Sequence, residues 1–484
     1  MASASRAPGT DPLTFHGGLA GALAPFVAFL AGVATLAIAG APDEKGFWPI
    51  LLGALMLGLL LARDRARYCD AMLDGMSQRL VMIMLCAWLF AGVLGRIIAA
   101  SGFVAALAQL AQATGLTGGA YVAAAFVICA LVSTATGTSF GTILLAGPLL
   151  YPAGGPARAV PAVLMGAILA GATFGDSISP VSDTTIASSG SQDADIGGTV
   201  RSRLRYVLPA GFMALLMSAA IGGAEPLASV RYDGSAVVQA TPLALVMTLA
   251  PALVIVMLLR RRHLIEALLA GCGAAMLLGV GLGLLTPGAL LHVAPGTFGA
   301  TGLVVDGMQR AVGVSVFTLL LVALVGTLQA TDLLDRLVAS AVGRAQTARM
   351  GEWWIVAVVS GAVLLTTHSV VAILAVGPFA KQTGERLGLS RYRRANLLDL
   401  TVCTWPFLLP WFLPTILAAS ASTGGASLGM PPQTALSIGL HNTYGWMLAL
   451  AVLFAVVTGY GRRWEGNDAV VTTPVRGAIV ASEA

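Results

Sequence analysis

The run Gly175-Asp176-Ser177-Ile178-Ser179-Pro180-Val181-Ser182-Asp183-Thr184-Thr185 places two carboxylates seven residues apart, with five Ser or Thr hydroxyls between or just beyond them. The sequence around it is apolar. An ionised Asp inside a bilayer is expensive, so acids in such a setting usually face protein, hold an ion or carry protons. Seven residues is about two helical turns, and an unbroken helix would bring both acids to one face. Pro180 interrupts that helix, because it offers no N–H to the carbonyl four residues back, which belongs to Asp176. A broken helix with carboxylates, hydroxyls and a freed carbonyl is the kind of site that binds cations in membrane transport. Asp176 and Asp183 are therefore the candidate cation and proton ligands, with sodium as the candidate metal ion. Ser179, Ser182 and Thr184 offer supporting oxygens. Burial penalises an ionised carboxylate, so a cation and a proton would compete for it. Taken singly, either acid would also serve as a helix cap, and Asp183 before Thr184-Thr185 has the form of one.

Other polar residues fall inside apolar sequence. Asp399, with Thr401 close behind it, reads as a third site acid or as the partner of a buried arginine. Thr134, Thr136, Thr138 and Ser139 form a second polar break, of which Thr136 and Ser139 are candidate ligands; such hydroxyls also satisfy backbone groups freed at a break. His368, beside Thr366, Thr367 and Ser369, reads equally as a proton-linked gate or a hydrogen-bonded structural histidine. Arg96 reads as a residue whose charged end snorkels to the interface. Trp405 and Trp411 bracket Pro406 and Pro410, where an indole would pack a break, mark an interface or line an organic substrate's site. Gly137-Thr138-Ser139-Phe140-Gly141 matches the Gly-x-Ser-x-Gly elbow of serine hydrolases. That elbow needs a strand, a turn and a helix, whereas this copy lies between apolar helical segments.

Composition sets the elements that must carry these residues. The 484-residue chain is 57% hydrophobic and 10% charged, against roughly 25% charged in soluble domains. Only helices or closed barrels span lipid, and the long apolar runs lack barrel alternation, so the fold class is an all-α polytopic membrane protein. The net charge of +5 needs no nucleic-acid partner, since the basic residues cluster in short segments as an orientation signal. Cys69, Cys86, Cys129, Cys272 and Cys403 show no metal spacing and read as packed thiols. No phosphate-binding Gly-x-x-x-x-Gly-Lys-Ser/Thr occurs, so ion gradients are the expected energy source and no cofactor is expected.

Apolar windows fall near 19–40, 48–62, 80–100, 118–135, 138–151, 158–190, 205–223, 241–259, 264–286, 311–330, 353–367, 370–384, 396–420 and 437–460, which predicts 11 to 14 spans. Lys and Arg concentrate around 63–79, 201–205, 260–262, 336–349, 381–394 and 462–463, and alternating the loops accordingly puts both termini in the cytoplasm. This divides the chain into a polar tail (1–18), a first transmembrane half (19–223), a second (241–460) and a polar, disordered C-terminal tail (461–484). The first apolar run is too long for a signal-peptide core and reads as an uncleaved span of an inner-membrane protein.

An ungapped shift of 230 positions lays Ser139, Ile143-Leu144 and Gly147-Pro148 over Ser369, Ile373-Leu374 and Gly377-Pro378. The same shift pairs Pro180 with Pro410 and Thr185-Ile186 with Thr415-Ile416. The loop after Pro148 is nearly free of basic residues and the one after Pro378 is rich in them, so the two copies, 80–190 and 311–420, read as repeats of opposite orientation. Transporters built this way bind substrate where the repeats meet, on broken helices near the midplane.

Phe174-Gly175-Asp176, Ser179-Pro180-Val181-Ser182-Asp183-Thr184-Thr185 and Ser188-Ser189 resemble the signature of the NhaC-type sodium:proton antiporters. Arg394 to Asp399 and Leu408-Leu409-Pro410-Trp411 resemble that family's later Arg-x-x-Glu and Leu-Ile-Pro-Trp elements, with Asp399 in the place of the Glu and Phe412 where the family tends to carry a polar residue. The resemblance implies sodium:proton antiport by alternating access, with sodium and protons as coupling ions and the bilayer as surroundings. Relatives that exchange organic anions or amino acids imply the alternative, a sodium- or proton-coupled exchanger of a small organic acid or amino acid, towards which Phe412 and the tryptophans lean. A homodimer is left open. The reading from another class is an intramembrane hydrolase built on Ser139 and His368.

Overall fold

The computed structural model describes residues 12–38, 44–223, 241–260, 262–293, 299–333, 336, 338 and 345–465. Every apolar window coincides with helix. In chain order these are α1 (Leu19–Ile38), α2 (Phe47–Leu61), α3 (Arg65–Met76), α4 (Arg79–Ala100), α5 (Phe103–Ala113), α6 (Gly119–Thr136), α7 (Ser139–Ala153), α8 (Pro161–Ile178), α9 (Asp183–Ser191) and α10 (Ile196–Ile221). The second half contributes α11 (Leu249–Leu259), α12 (Leu264–Gly281), α13 (Pro287–Leu290), α14 (Leu303–Gln329), α15 (Ala348–Thr366), α16 (Ser369–Arg386), α17 (Arg391–Val402), α18 (Leu413–Ser422), α19 (Ala435–His441) and α20 (Thr443–Thr458). The strands among the described residues are the two-residue pair His292–Val293 and Ala300–Thr301. The chain is a multi-pass helical membrane protein. Among the described residues 8 helices are long and apolar enough to cross a bilayer, or up to 9 counting α19 and α20, bent by 55° about Asn442, as one span. The shortfall from 11 has a cause: α2, α7 and the 3-10-to-α segment Pro242–Leu258 are shorter apolar helices, and α17 and α18 are separated by the irregular stretch 403–412.

Two expected loops are helical. The basic cluster at 201–205 lies in the first turns of α10, and Arg391, Arg393 and Arg394 open α17. Positive-inside counting reads these arginines as loop because it assumes that they meet water. Arg203, Arg393 and Arg394 are instead buried and satisfied by protein. The C-terminal segment is also ordered further than expected. Trp464 bridges Leu389, and the Ser390 N–H donates to the Arg463 carbonyl at 3.0 Å. Most of the predicted tail, 466–484, lies outside the described residues, as do 1–11 of the N-terminal tail.

The core is a single large apolar cluster drawing on both halves. It centres on α8, where Val163 to Ala172 pack with almost no exposure. Small residues permit this approach. A Cβ on Gly171 would meet the Phe126 carbonyl oxygen of α6 at 2.2 Å, and one on Gly175 the Ala130 carbonyl oxygen at 2.3 Å.

Helix boundaries recur at the 230-residue offset. Ser139 and Ser369 begin α7 and α16, Pro161 and Arg391 begin α8 and α17, and Asp183 and Leu413 begin α9 and α18. The packing partners recur as well, since α7 lies on α18 while α16 lies on α9, and α10 lies on α17 while α20 lies on α8. Both breaks before these helices use the same backbone device. Gly137 takes φ +70° and Thr367 φ +51°, each ending one helix, and the next residue caps the following one. Thr138 Oγ1 accepts the Gly141 N–H at 3.2 Å, and His368 Nδ1 accepts the Val371 N–H at 3.4 Å.

The left-handed region suits Gly137, whereas a β-branched residue there is strained by about 1–3 kcal/mol. A Cβ at Gly137 would also press on the Val181 carbonyl carbon at 2.8 Å. Thr367→Gly should therefore raise unfolding stability by about 1 kcal/mol, while Gly137→Ala lowers it, as read by thermal denaturation in detergent. Equal and same-signed shifts would refute this account of the two breaks.

Candidate cation site and its buried ion pairs

The α8–α9 segment forms one apolar stretch, Pro161–Ser191, broken in the middle. Helix α8 stops at Ile178, residues 179–182 run without helical bonding, and Ser182 begins α9 as its N-cap. Pro180 accounts for the stop. The Asp176 carbonyl is not left free, because the Ser179 N–H turns back to it at 3.2 Å. The freed carbonyl that gains a new partner is Ser177, which accepts from Arg203 at 3.0 Å. The opposite break, at Gly137 and Thr138, crosses this one against Val181.

Asp176 ends α8 buried. One carboxylate oxygen, Oδ2, accepts the Ser139 hydroxyl at 3.1 Å, and the other, Oδ1, is buried without a hydrogen-bond partner among the described residues. A buried, unsatisfied carboxylate oxygen is costly, by about 1–3 kcal/mol or more for a charged group. A proton or a cation would satisfy it. The neighbouring Ser133 hydroxyl, on α6 beside Gly175, is buried and unpartnered as well.

The other two candidate acids behave differently. Asp183 is the first residue of α9 and is exposed, with its carboxylate at the positive end of the helix dipole. The break therefore separates the two acids that a continuous helix would align. Asp399, on α17, is fully enclosed and ion-paired with Arg203 of α10, the two side chains being 1% and 0% exposed. Its Oδ2 also accepts the Ser188 hydroxyl at 3.1 Å, and its Oδ1 the Cys403 thiol at 3.3 Å. Asp399 thus takes the arginine-partner role. Three acids are buried among the described residues, Asp176, Glu352 and Asp399. Glu352 is held by Arg393 at 2.8 Å and Arg462 at 2.7 Å, which leaves Asp176 as the buried acid with no cation beside it.

The hydroxyl candidates divide in the same way. Ser182 and Thr184 hydroxyls lie 3.1 Å apart at the start of α9, and Thr184 reaches the Cys403 sulfur at 3.9 Å. The Ser179 hydroxyl accepts the Val181 N–H at 3.3 Å across the break. Thr136 and Thr401 spend theirs on carbonyls of their own helices, Val132 at 2.9 Å and Leu397 at 2.7 Å. His368 caps α16, with Nδ1 already accepting, which is the structural role of the two open for it. The Ser139 elbow joins helix to helix rather than strand to helix, and its hydroxyl is committed to Asp176, so the hydrolase arrangement is not formed. Phe412 is buried in the core as the residue before α18 and faces no site, and the Trp405 indole donates to Ser360 at 2.8 Å. Cys129, Cys272 and Cys403 are packed thiols as expected, whereas Cys69 is exposed on α3. Among the described residues no group of three or more His, Cys, Asp or Glu is placed to hold a metal ion.

Sequence reasoning missed Arg203. Besides Asp399 and Ser177, it donates to Thr185 Oγ1 at 2.8 Å and Asn396 Oδ1 at 3.0 Å, touching α8, α9 and α17 from α10. Its signal was the apolar sequence that runs on from Tyr206, which makes it part of the span rather than of a loop.

Outside the apolar spans, the turn after α9 is tied to the other half by Lys381 on Asp193 and by Tyr392 on Asp195. The Lys381 hydrogen bond and charge hold the exposed Asp193 carboxyl below the usual range.

Removing one partner of a buried ion pair leaves an uncompensated charge, at about 3–5 kcal/mol. Arg203→Met and Asp399→Leu should each lower stability by that amount in chemical denaturation, and the double variant should recover most of it. A double variant as unstable as the sum of the singles would show that the pair is not a unit.

Comparison with known proteins agrees with the motif. The profile of the Na+/H+ antiporter family matches residues 21–222. The malate-2H+/Na+-lactate antiporter of Bacillus subtilis is 38% identical over 103 residues, covering 21% of this chain and 22% of that protein. The Na+/H+ antiporter NhaC of Alkalihalophilus pseudofirmus is 30% identical over 155 residues, 31% of this chain and 33% of that one. The arginine/ornithine antiporter ArcD of Halobacterium salinarum is 28% identical over 187 residues, 36% of each chain. The chain thus spans about a fifth to a third of the length of these curated relatives. Over residues 21–222, where Asp176, Asp183 and Arg203 lie, the chain is similar to the Na+/H+ antiporter family.

Proposed function

We propose that the protein is a secondary active antiporter of the inner membrane that exchanges sodium for protons at Asp176. The observation that carries this is the unpartnered Oδ1 of Asp176, buried where two broken helices cross. Deprotonated, the carboxylate takes up the cation through Oδ1, with Ser139 holding the second oxygen in place. Protonated, it is neutral and releases the cation, so the two compete for one group. Asp183, at the first turn of α9, lends negative charge to the approach. Asp399 and Arg203 keep the broken elements in register rather than binding the ion. The recurrence of helix starts and packing partners at a 230-residue offset supports two repeats, which we read as inverted, with both termini cytoplasmic and with access alternating between the two faces.

A second reading, coupled exchange of an organic acid or amino acid, is favoured by two of the relatives and by the Trp411 indole N–H, buried without a partner among the described residues. In either reading sodium and protons are the coupling ions.

Proteoliposomes loaded with a pH-sensitive dye and an acid interior test both. External sodium should raise internal pH, and Asp176→Asn should reduce that response by at least about a hundredfold, since a single amide cannot exchange a proton at this position. Ser139→Ala should weaken apparent sodium affinity by roughly tenfold through loss of a charge-assisted hydrogen bond. Full exchange by Asp176→Asn would overturn the assignment.

A further inference from the structure

A second polar feature lies away from Asp176. Between α4, α7, α14 and α18 a cleft is lined by Trp88, Arg96, Pro148, Arg310, Ser420 and Thr423, with small or apolar residues completing the wall. Its lining holds two arginines and no acid. Arg96 pairs with Asp306 at 3.5 Å, the side chains being 31% and 46% exposed, so Arg96 does more than snorkel. Arg310 sits one helical turn from Asp306 on α14, and among the described residues it makes no ion pair or hydrogen bond. Two guanidinium groups thus share one partly exposed carboxylate. Arg310 is exposed at the cleft, so its unpaired charge is open to an anion, and the largely apolar wall beside it strengthens that attraction.

The cleft is connected to the candidate cation site by two helices. Leu144 and Pro148 follow Ser139 on α7 by five and nine residues, about 8 and 14 Å at 1.5 Å per residue. Leu417 and Ser420 lie on α18, the counterpart of α9. A ligand held between α7 and α18 would therefore press on the helix whose first residue holds Asp176.

We propose that this cleft binds a small mono- or dicarboxylate, received by Arg310 together with Arg96, with Ser420 and Thr423 as hydroxyl partners. Guanidinium groups match the planar, two-oxygen geometry of a carboxylate, and Trp88 and Pro148 give a short carbon skeleton an apolar wall. The cleft is a substrate or effector site separate from the cation site, and it would make the anion part of the transport cycle. This last consequence rests on the antiporter reading, whereas binding itself does not.

The test is isothermal titration calorimetry on the full chain in zwitterionic nanodiscs, in a low-salt sulfonate buffer. The titrants are lactate, malate, inorganic phosphate and, in separate discs, an anionic lipid. At least one carboxylate should bind. Arg310→Gln should weaken it by at least about tenfold, and Arg310→Lys, which keeps the charge and guards against misfolding, should retain part of the affinity. Unchanged affinity in Arg310→Gln, no carboxylate binding to the parent, or binding of phosphate or anionic lipid alone would each overturn the proposal. Carboxylate binding without sodium-driven pH change would keep it and remove the sodium:proton reading instead.

Discussion

The ion pair between Arg203 and Asp399 is the constraint around which the centre of the protein is arranged. A broken membrane helix leaves polar backbone groups that lipid cannot satisfy, so the break must be closed by protein. Arg203 does this for the α8–α9 break by taking the Ser177 carbonyl and the Thr185 hydroxyl, and it does so from another helix. Its own charge then needs an anion at the same depth, and Asp399 supplies it from the second half of the chain. Asn396, Ser188 and Cys403 complete the remaining donor and acceptor positions. The two halves are therefore joined at the breaks by charge as well as by apolar packing.

This arrangement also decides which acid is available for chemistry. Glu352 and Asp399 are locked by arginines, and a carboxylate so paired has little to gain from an ion. Asp176 has one hydroxyl donor and an open oxygen. The difference lies less in burial, which all three share, than in where the arginines stand.

Much of this was legible in the residues. Hydropathy located the long apolar helices, because apolar length is what a bilayer selects, but not α3, α5 or the short α13, which lie outside the apolar windows. Pro180 marked the α8 break, and the starts of α7, α8 and α9 recur 230 residues later at α16, α17 and α18. Asp176 and its hydroxyl neighbour Ser139 were both singled out. Three things were not legible. Side-chain pairing across distant segments leaves no periodic trace, so Asp399 read equally as a site acid or an arginine's partner until Arg203 was placed against it. Positive charge at a helix end was read as a loop, because counting basic residues does not distinguish a solvated arginine from one enclosed by Glu352 or Gln192. The direction in which Asp183 points depends on how far the chain turns over residues 179–182, which proline predicts as an interruption but not as an angle.

The breaks at Gly137 and Thr367 occupy matching places in the halves, yet they are not built to the same standard of ease. One is a glycine at rest in the left-handed region, and the other a threonine held there under strain. A difference of about 1–3 kcal/mol corresponds to roughly a five- to 150-fold bias between two otherwise equivalent arrangements. If the halves trade roles during a working cycle, the exchange begins from an uneven balance, and the resting population is weighted to one side before any gradient or ligand acts on it.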